Sequence, residues 1–245
     1  RSFYSAGMRK KNLNGQVIFA GIQSIWNKAN LIPNTIDLVL IDEAHSVSPK
    51  QSTQYRQFLD AMLERNPNLK LIGFTATPYR TKKDESLKDY FQEVVKSASI
   101  RELVELGYLT PLEYYGVIDP NLKKVRSQGG DYKTSDLEKV YKDDRYLKDV
   151  LKYWRKYSNN KSTIAFCCSV DHARQLTTFL NSNNVRAEIV TGETDSKTRK
   201  KLYNLLDTKK IKVLVSVNVL SVGFDLPSVE CGILLRPTKS KALFI

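Results

Sequence analysis

Leu38-Val39-Leu40-Ile41-Asp42-Glu43-Ala44-His45 decides how this chain is read. The four apolar residues predict a strand buried on both faces. Asp42 and Glu43 close it at the C-terminal end, where open α/β sheets bind their ligands. Carboxylates near a core are costly unless a metal ion, a proton or hydrogen bonds answer them. Two acids and a histidine on a strand tip therefore point to a magnesium–nucleotide site, with the first acid holding the metal and the second polarising the attacking water. The matching phosphate cradle, Gly-x-x-x-x-Gly-Lys-Ser/Thr, is missing, and no Gly-Lys pair occurs in the 245 residues.

Working outward, Val17-Ile18-Phe19-Ala20 and Lys70-Leu71-Ile72-Gly73-Phe74 are further strand candidates. Between Ile41 and Lys70, Tyr55, Phe58, Leu59, Met62 and Leu63 recur at helical spacing, and Pro67-Asn68 ends that helix. Strand, helix, strand at this spacing predicts parallel pairing through right-handed crossovers. Thr75-Ala76-Thr77-Pro78 follows the third strand directly. Read alone, it is either a plain strand exit or a rigid turn whose hydroxyls can hydrogen-bond the acids and His45 on the neighbouring tip.

The rest of the chain repeats the α/β texture without repeating the sequence. Ile100 to Leu106 read as a helix, Leu112 to Ile118 as a strand, and Gly129-Gly130-Asp131 as a flexible turn. Tyr146, Leu147, Val150, Leu151 and Trp154 form a helical stripe, followed by a strand over Ser162 to Cys167. Asp171 is expected to cap a helix carrying Ala173, Leu176, Phe179 and Leu180. Ala187 to Val190, Val213 to Val215 and Gly232 to Leu235 read as strands, and Leu202, Leu205 and Leu206 mark a helix. The expected organisation is an α/β domain over 1–97, a connector over 98–135 and a second α/β domain over 136–245.

Hydrophobic residues make up 41% and charged residues 27%, a balance that suits a globular protein and excludes a disordered one. No apolar stretch is long enough to span a bilayer, and Arg1-Ser2-Phe3-Tyr4 does not open a signal peptide, so a cytoplasmic protein is expected. Cys167, Cys168 and Cys231 lack metal-ligand spacing and read as buried free thiols. The net charge is +13, with +5 in residues 1–100 and +8 in residues 101–245. So broad an excess fits a polyanion partner, usually nucleic acid, and equally a solvated lysine-rich surface. Lys197, Arg199, Lys200, Lys201, Lys209, Lys210 and Lys212 gather around one helix and carry the same two readings, with Arg80 and Arg9-Lys10-Lys11 as further candidates. His172, lacking chemical company, reads as a surface residue near a helix start.

Asp42-Glu43-Ala44-His45 and Thr75-Ala76-Thr77-Pro78 resemble motifs II and III of superfamily-two helicases and translocases of the DEAH-box kind. Val17 to Ser24 resembles the segment between motifs Ia and II, Ser162 to Val170 resembles motif IV, and Val213 to Pro227 is similar to motif V. Their order resembles two RecA-like domains in tandem and covers almost the whole chain. Glu105-Leu106-Gly107-Tyr108-Leu109-Thr110-Pro111 and Leu235 to Ser240 look like bacterial and phage DNA-repair helicases of the RadD kind. Restriction-enzyme motor subunits share much of the pattern, and DEAD-box RNA helicases share less of it.

The resemblance implies ATP and Mg²⁺ as cofactors and DNA, rather than RNA, as partner, with repair or restriction proteins as further partners and no membrane. By it, Asp42 binds Mg²⁺ through waters, Glu43 deprotonates the attacking water, and His45, Thr75 and Thr77 relay the nucleotide state. Gly223 and Asp225 face the nucleotide from the second domain, while Gln23, Ser24, Arg80, Thr191, Gly192 and Ser221 hold the sugar-phosphate backbone. Val217 and Asn218 depart from the family's threonine and aspartate, and Ser221 could take over the lost contact. The phosphate loop and motif VI are absent, so the chain is read as a fragment of a longer motor, inactive alone. The alternatives are a restriction motor subunit and a nucleic-acid-binding scaffold without turnover.

Overall fold

The structure, a computed structural model, describes residues 1–48, 50, 52–77, 87–116, 120–141, 143–158, 160–220 and 225–239. The chain divides into two compact units, Arg1–Pro111 and Leu112–Ile245. The stretch expected as connector is thereby shared between them.

In the first unit, β1 (Ser2–Ser5) pairs antiparallel with β2 (Lys10–Lys11) and parallel with β3 (Ile18–Ala20). A four-residue helix, α1 (Ile22–Ile25), follows β3 at once. β4 (Leu38–Ile41) and β5 (Lys70–Gly73) pair in parallel, in register from Leu38 opposite Lys70 to Ile41 opposite Gly73. The helix between them, α2 (Gln54–Arg65), is capped by Thr53, whose hydroxyl accepts from the Arg56 amide, and it buries Phe58, Leu59 and Met62. Ile41, Ala44 and Val47 join that core.

One expectation fails here. β4 is not buried on both faces: Leu38 and Leu40 are 46% and 58% exposed, as are Ile72 (46%) and Phe74 (55%) beside them. Ile41, with Val39 packed at its margin, belongs to the α2 side, and among the described residues no helix covers the opposite face. An apolar run predicts burial of its side chains only if both faces find a partner.

α3 (Ile100–Glu105) closes the first unit with a capping box in which Ser99 and Glu102 exchange side-chain-to-backbone hydrogen bonds. Leu112 to Gly116, expected as a strand, are irregular and exposed, and Val117 to Asp119 lie outside the described residues. Among the described residues they pair with no strand, and Tyr115 stacks on Tyr157 instead. β6 (Ser127–Gln128) and β7 (Asp131–Tyr132) form a hairpin through Gly129 and Gly130, both at positive φ. Such a two-residue turn demands that conformation, which glycine adopts without strain. α4 (Thr134–Tyr141) and α5 (Asp144–Tyr157) lead into the second sheet.

That sheet is fully parallel, with β8 (Thr163–Cys167), β9 (Ala187–Val190), β10 (Val213–Ser216) and β11 (Cys231–Leu235) in the order β11-β8-β10-β9. Alternation assigns its faces. Ala165, Cys167, Val213 and Val215 pack against α5 and α6 (Val170–Ser182), while Ile164, Val190 and Leu214 pack against α7 (Ser196–Asp207). The cap of α6 is Ser169, not Asp171; Asp171 lies in the first turn, where its charge suits the helix dipole. His172 is 3% exposed rather than on the surface, because Tyr141 of α4 stacks on its ring. Cys167 and Cys168 are buried and Cys231 partly so, all three as free thiols. Among the described residues, no helix is long and apolar enough to cross a membrane.

Candidate functional site

The site residues lie beyond the C-terminal ends of parallel strands, because each motif begins where a strand stops. In the first unit, Gln23 and Ser24 follow β3, Asp42 to His45 follow β4, and Thr75 and Thr77 follow β5. The β4 tip is tied to the β5 tip by backbone. Phe74 donates its amide to the Ile41 carbonyl (2.8 Å), and Ala44 donates to the Phe74 carbonyl (2.9 Å). Gly73 makes this approach possible: a Cβ there would stand 2.6 Å from the Ala44 Cβ and 2.8 Å from Cζ of Phe91.

The acids sit on a bent backbone. Glu43 has φ 51° and ψ 49°, in the left-handed region that costs a residue with a Cβ about 1 kcal/mol. Its amide donates to Oδ1 of Asp42 (3.0 Å), which helps hold the turn. The Asp42 side chain is exposed and Glu43 is partly so. The Asp42 charge, together with burial, raises the pKa of the Tyr55 phenol, with burial the larger cause, so Tyr55 stays protonated near the tip.

His45 links the two tips. Its Nδ1 lies 2.9 Å from Oγ1 of Thr75 and 3.3 Å from Oε2 of Glu43. The same Thr75 oxygen accepts the Thr77 amide (3.0 Å), and Thr77 is buried. The hydrogen bonding expected from Thr-Ala-Thr-Pro is therefore present between Thr75 and His45. Pro78 and Arg80 lie outside the described residues. Gln23 is exposed, and the Ser24 hydroxyl accepts the Ala6 amide (3.0 Å), which joins the tips after β1 and β3.

In the second unit, Thr191 and Gly192 follow β9, and Asn218 and Asp225 follow β10. The loop after β9 is a tight turn. The Thr191 amide donates to the Thr194 hydroxyl (3.0 Å), and the Glu193 amide donates to the Thr191 hydroxyl (3.3 Å). Gly192 is exposed, with nothing within 4 Å of where a Cβ would stand. Asp225 is exposed, while Ser221 and Gly223 lie outside the described residues.

Two residues acquire roles that the sequence did not announce. Nη2 of Arg199 donates to the carbonyls of Thr191 and Thr194, both at 3.2 Å, so one of the α7 cations braces this turn instead of facing solvent. Arg236, just past β11, donates to Oδ1 of Asn218, which sits at φ 55°. Arg236 reaches an oxygen 18 residues away, and Arg199 bonds main-chain carbonyls five and eight residues before it, which any side chain could offer, so no motif signals either. The α7 lysines 197, 200 and 201 are exposed, and Lys209 approaches Glu230 at 3.8 Å.

As a metal site the first tip offers one exposed carboxylate, Asp42, and no group of three His, Cys, Asp or Glu side chains among the described residues could hold an ion. One carboxylate suits Mg²⁺, which keeps much of its water and takes further oxygens from phosphates.

Residues 6–146 match the SWI2/SNF2 ATPase family, and residues 143–245 match the helicase conserved C-terminal domain. The chain is 28% identical over 208 residues to a 51.5 kDa protein of a Lactococcus phage (isolate 7-9), covering 85% of this chain and 44% of the relative. It is 26% identical over 239 residues to Saccharomyces cerevisiae IRC3, provisionally named an ATP-dependent helicase, covering 95% of this chain and 34% of that one. It is also 26% identical over 239 residues to the type I restriction enzyme EcoAI endonuclease subunit of Escherichia coli, covering 86% and 29%. The chain thus spans less than half the length of these relatives. A solved structure of a Saccharomyces cerevisiae Dbp5 variant bound to Gle1 and IP6 superposes with a TM-score of 0.50 at 18% identity, over 94% of this chain and 52% of that one. The shared architecture is the α/β fold of RecA-like domains with parallel sheets.

Proposed function

Because the chain belongs to the SWI2/SNF2 ATPase family, we propose that it is the core of an ATP-driven motor, a helicase or translocase that moves along DNA. The observation that carries this reading is the Asp42–His45 tip of β4, held against Thr75 at the tip of β5. Acid, acid and histidine share one loop there, with a hydroxyl hub beside them.

In this reading Asp42 would hold Mg²⁺, which would supply charge neutralisation at the nucleotide phosphates. Glu43 orients the attacking water and takes its proton at a carboxylate oxygen. The left-handed backbone at Glu43 sets that carboxylate apart from Asp42, so the two acids do different work. His45, Thr75 and Thr77 pass the state of Glu43 to the β5 tip. Asp225 and Gly223 serve the nucleotide as well. Gln23, Ser24, Arg80, Thr191, Gly192 and Ser221 hold the sugar-phosphate backbone, which carries no base information, so the motor acts without sequence preference. The +13 charge favours that partner. A cytoplasmic setting and a role in repair accompany this reading. The match to the EcoAI subunit favours a second one, the motor of a restriction enzyme, which differs in its partner subunits rather than in its chemistry.

The test is DNA-stimulated ATP hydrolysis by the full-length protein. Glu43→Gln should lower turnover by at least about a hundredfold. Binding of a fluorescent ATP analogue should be retained. Wild-type turnover in that variant would remove Glu43 from its role. Stimulation by RNA and not by DNA would overturn the choice of partner.

A further inference from the structure

Three tyrosines of the second unit form a ladder on the outside of α5. The rings of Tyr115 and Tyr157 stack with centroids 4.1 Å apart and planes 23° apart, and those of Tyr153 and Tyr157 stack at 6.2 Å and 15°. Two ammonium groups lie over the ladder: Lys156 Nζ is 4.9 Å from the Tyr157 centroid, and Lys152 Nζ is 5.3 Å from that of Tyr153. Tyr115 remains 50% exposed and Tyr114 81% exposed. The Tyr115 hydroxyl donates to Glu113 (2.7 Å), which engages the edge of the ring and leaves its face to stack. Leu147, Val150, Leu151 and Trp154 turn the opposite side of α5 into the core, so the ladder takes no part in it.

We propose that Tyr115, Tyr157 and Tyr153, with Lys152 and Lys156, form a stacking platform for unpaired bases of a single-stranded nucleic acid. Every base has a π-face, and aromatic rings flanked by cations bind single strands with little sequence preference. A duplex keeps its bases stacked within itself and offers no such faces. Charge agrees: the exposed residues of α5 are the bases Arg145, Lys148, Lys152, Arg155 and Lys156 and the acids Asp144 and Asp149, with Glu113 a further acid beside Tyr115.

The platform is separate from the strand tips. α5 runs directly into the start of β8, and Arg155 Nη2 donates to the Asn183 carbonyl (2.9 Å) at the end of α6, which feeds β9. The ladder therefore sits toward the N-terminal edge of the sheet, whereas Thr191 and Gly192 lie at its C-terminal edge. It rests on its own chemistry and does not require ATP turnover.

The experiment is equilibrium binding, without nucleotide, of fluorescein-labelled oligothymidylate, oligouridylate and an abasic strand of equal length. Tyr115→Ala should weaken binding of one or both base-bearing strands by about tenfold and leave the abasic strand unaffected, since stacking is lost and phosphate contact is not. Tyr115→Trp should bind at least as well as wild type. Lys152→Gln with Lys156→Gln should flatten the salt dependence by a slope of about 0.7 for each cation. Tyr115 is exposed, so thermal unfolding at the wild-type midpoint will certify each variant as folded. Base-bearing strands held by Tyr115→Ala within about twofold of wild type, or an equal loss for the abasic strand, would overturn the platform. A loss confined to oligothymidylate or to oligouridylate would support it and name the strand it serves.

Discussion

Nδ1 of His45 stands 2.9 Å from Oγ1 of Thr75, across 30 residues of sequence and from one strand tip to the next. The Thr75 oxygen also holds the Thr77 amide, so one hydroxyl connects the acid-bearing loop to the turn leaving β5. His45→Ala and Thr75→Ala are each expected to leave basal ATP hydrolysis near wild type and to lose its stimulation by DNA. The double variant should be no worse than either single one. A double-mutant cycle on stability should return a coupling of about 1 kcal/mol, the worth of one hydrogen bond. Additive losses would mean that the two side chains act independently.

Gly73→Ala tests whether the tips need their close approach. The added methyl would meet the Ala44 Cβ at 2.6 Å and the Phe91 ring at 2.8 Å, with backbone hydrogen bonds fixing both strands. The expected cost is about 1–3 kcal/mol, read as a lower urea midpoint, with ATP hydrolysis falling as the loop is pushed outward. A second change, Ala44→Gly, should recover part of it. An unshifted midpoint would show that the loop yields freely and that Gly73 is incidental.

Arg199 gives a prediction that separates bracing from contact. Its guanidinium holds the carbonyls of Thr191 and Thr194, and its Nε is buried with no hydrogen-bond partner among the described residues. Arg199→Gln should weaken DNA binding because the turn loosens, while the salt slope stays unchanged. Lys200→Gln, on the exposed side of α7, should lower the slope by about one if that lysine meets a phosphate. A reduced slope in the Arg199 variant would make it a phosphate ligand instead.

The parts legible in the sequence are those whose signal is local. β4, β5, α2, α5 and the four strands of the second sheet announce themselves by period and by their terminating residues. The β4 tip reads clearly because its residues are contiguous and its partner turn follows the next strand. β1 and β2 do not: Ser2-Phe3-Tyr4-Ser5 is short and mixed, Lys10-Lys11 carries no strand signature, and they exist through pairing with each other and, for β1, with β3. Leu112 to Gly116 mislead because their apolar and aromatic residues suit a strand, and whether an edge is there to pair with is not written in the pattern. Exposure of Leu38 and Leu40 and the burial of His172 depend on what lies opposite, which no window of sequence contains.

His172 supports a pH prediction. Its Nδ1 is 3.3 Å from Sγ of Cys168, its ring stacks on Tyr141 at 4.8 Å and 10°, and its Nε2 is buried without a partner among the described residues. Burial pushes its pKa down to about 4, and the Glu138 carboxylate only partly opposes this. In the unfolded chain the imidazole titrates near 6.5. Between those values the unfolded chain binds a proton that the folded one refuses, so stability is full above about pH 6.5 and drains away as pH falls toward 4, by roughly 3 kcal/mol in all. The depressed carboxyls of Asp131, Asp136, Asp143 and Asp195 begin to lose their contribution below about pH 5, so they touch only the acid end of this window and do so equally in both proteins compared below. With Trp26→Phe in the background, Trp154 fluorescence reports the second unit alone. Its urea midpoint should drop steadily across the window, and His172→Phe, which keeps the stack on Tyr141, should flatten that slope. Parallel slopes in the two proteins would place the titrating group elsewhere.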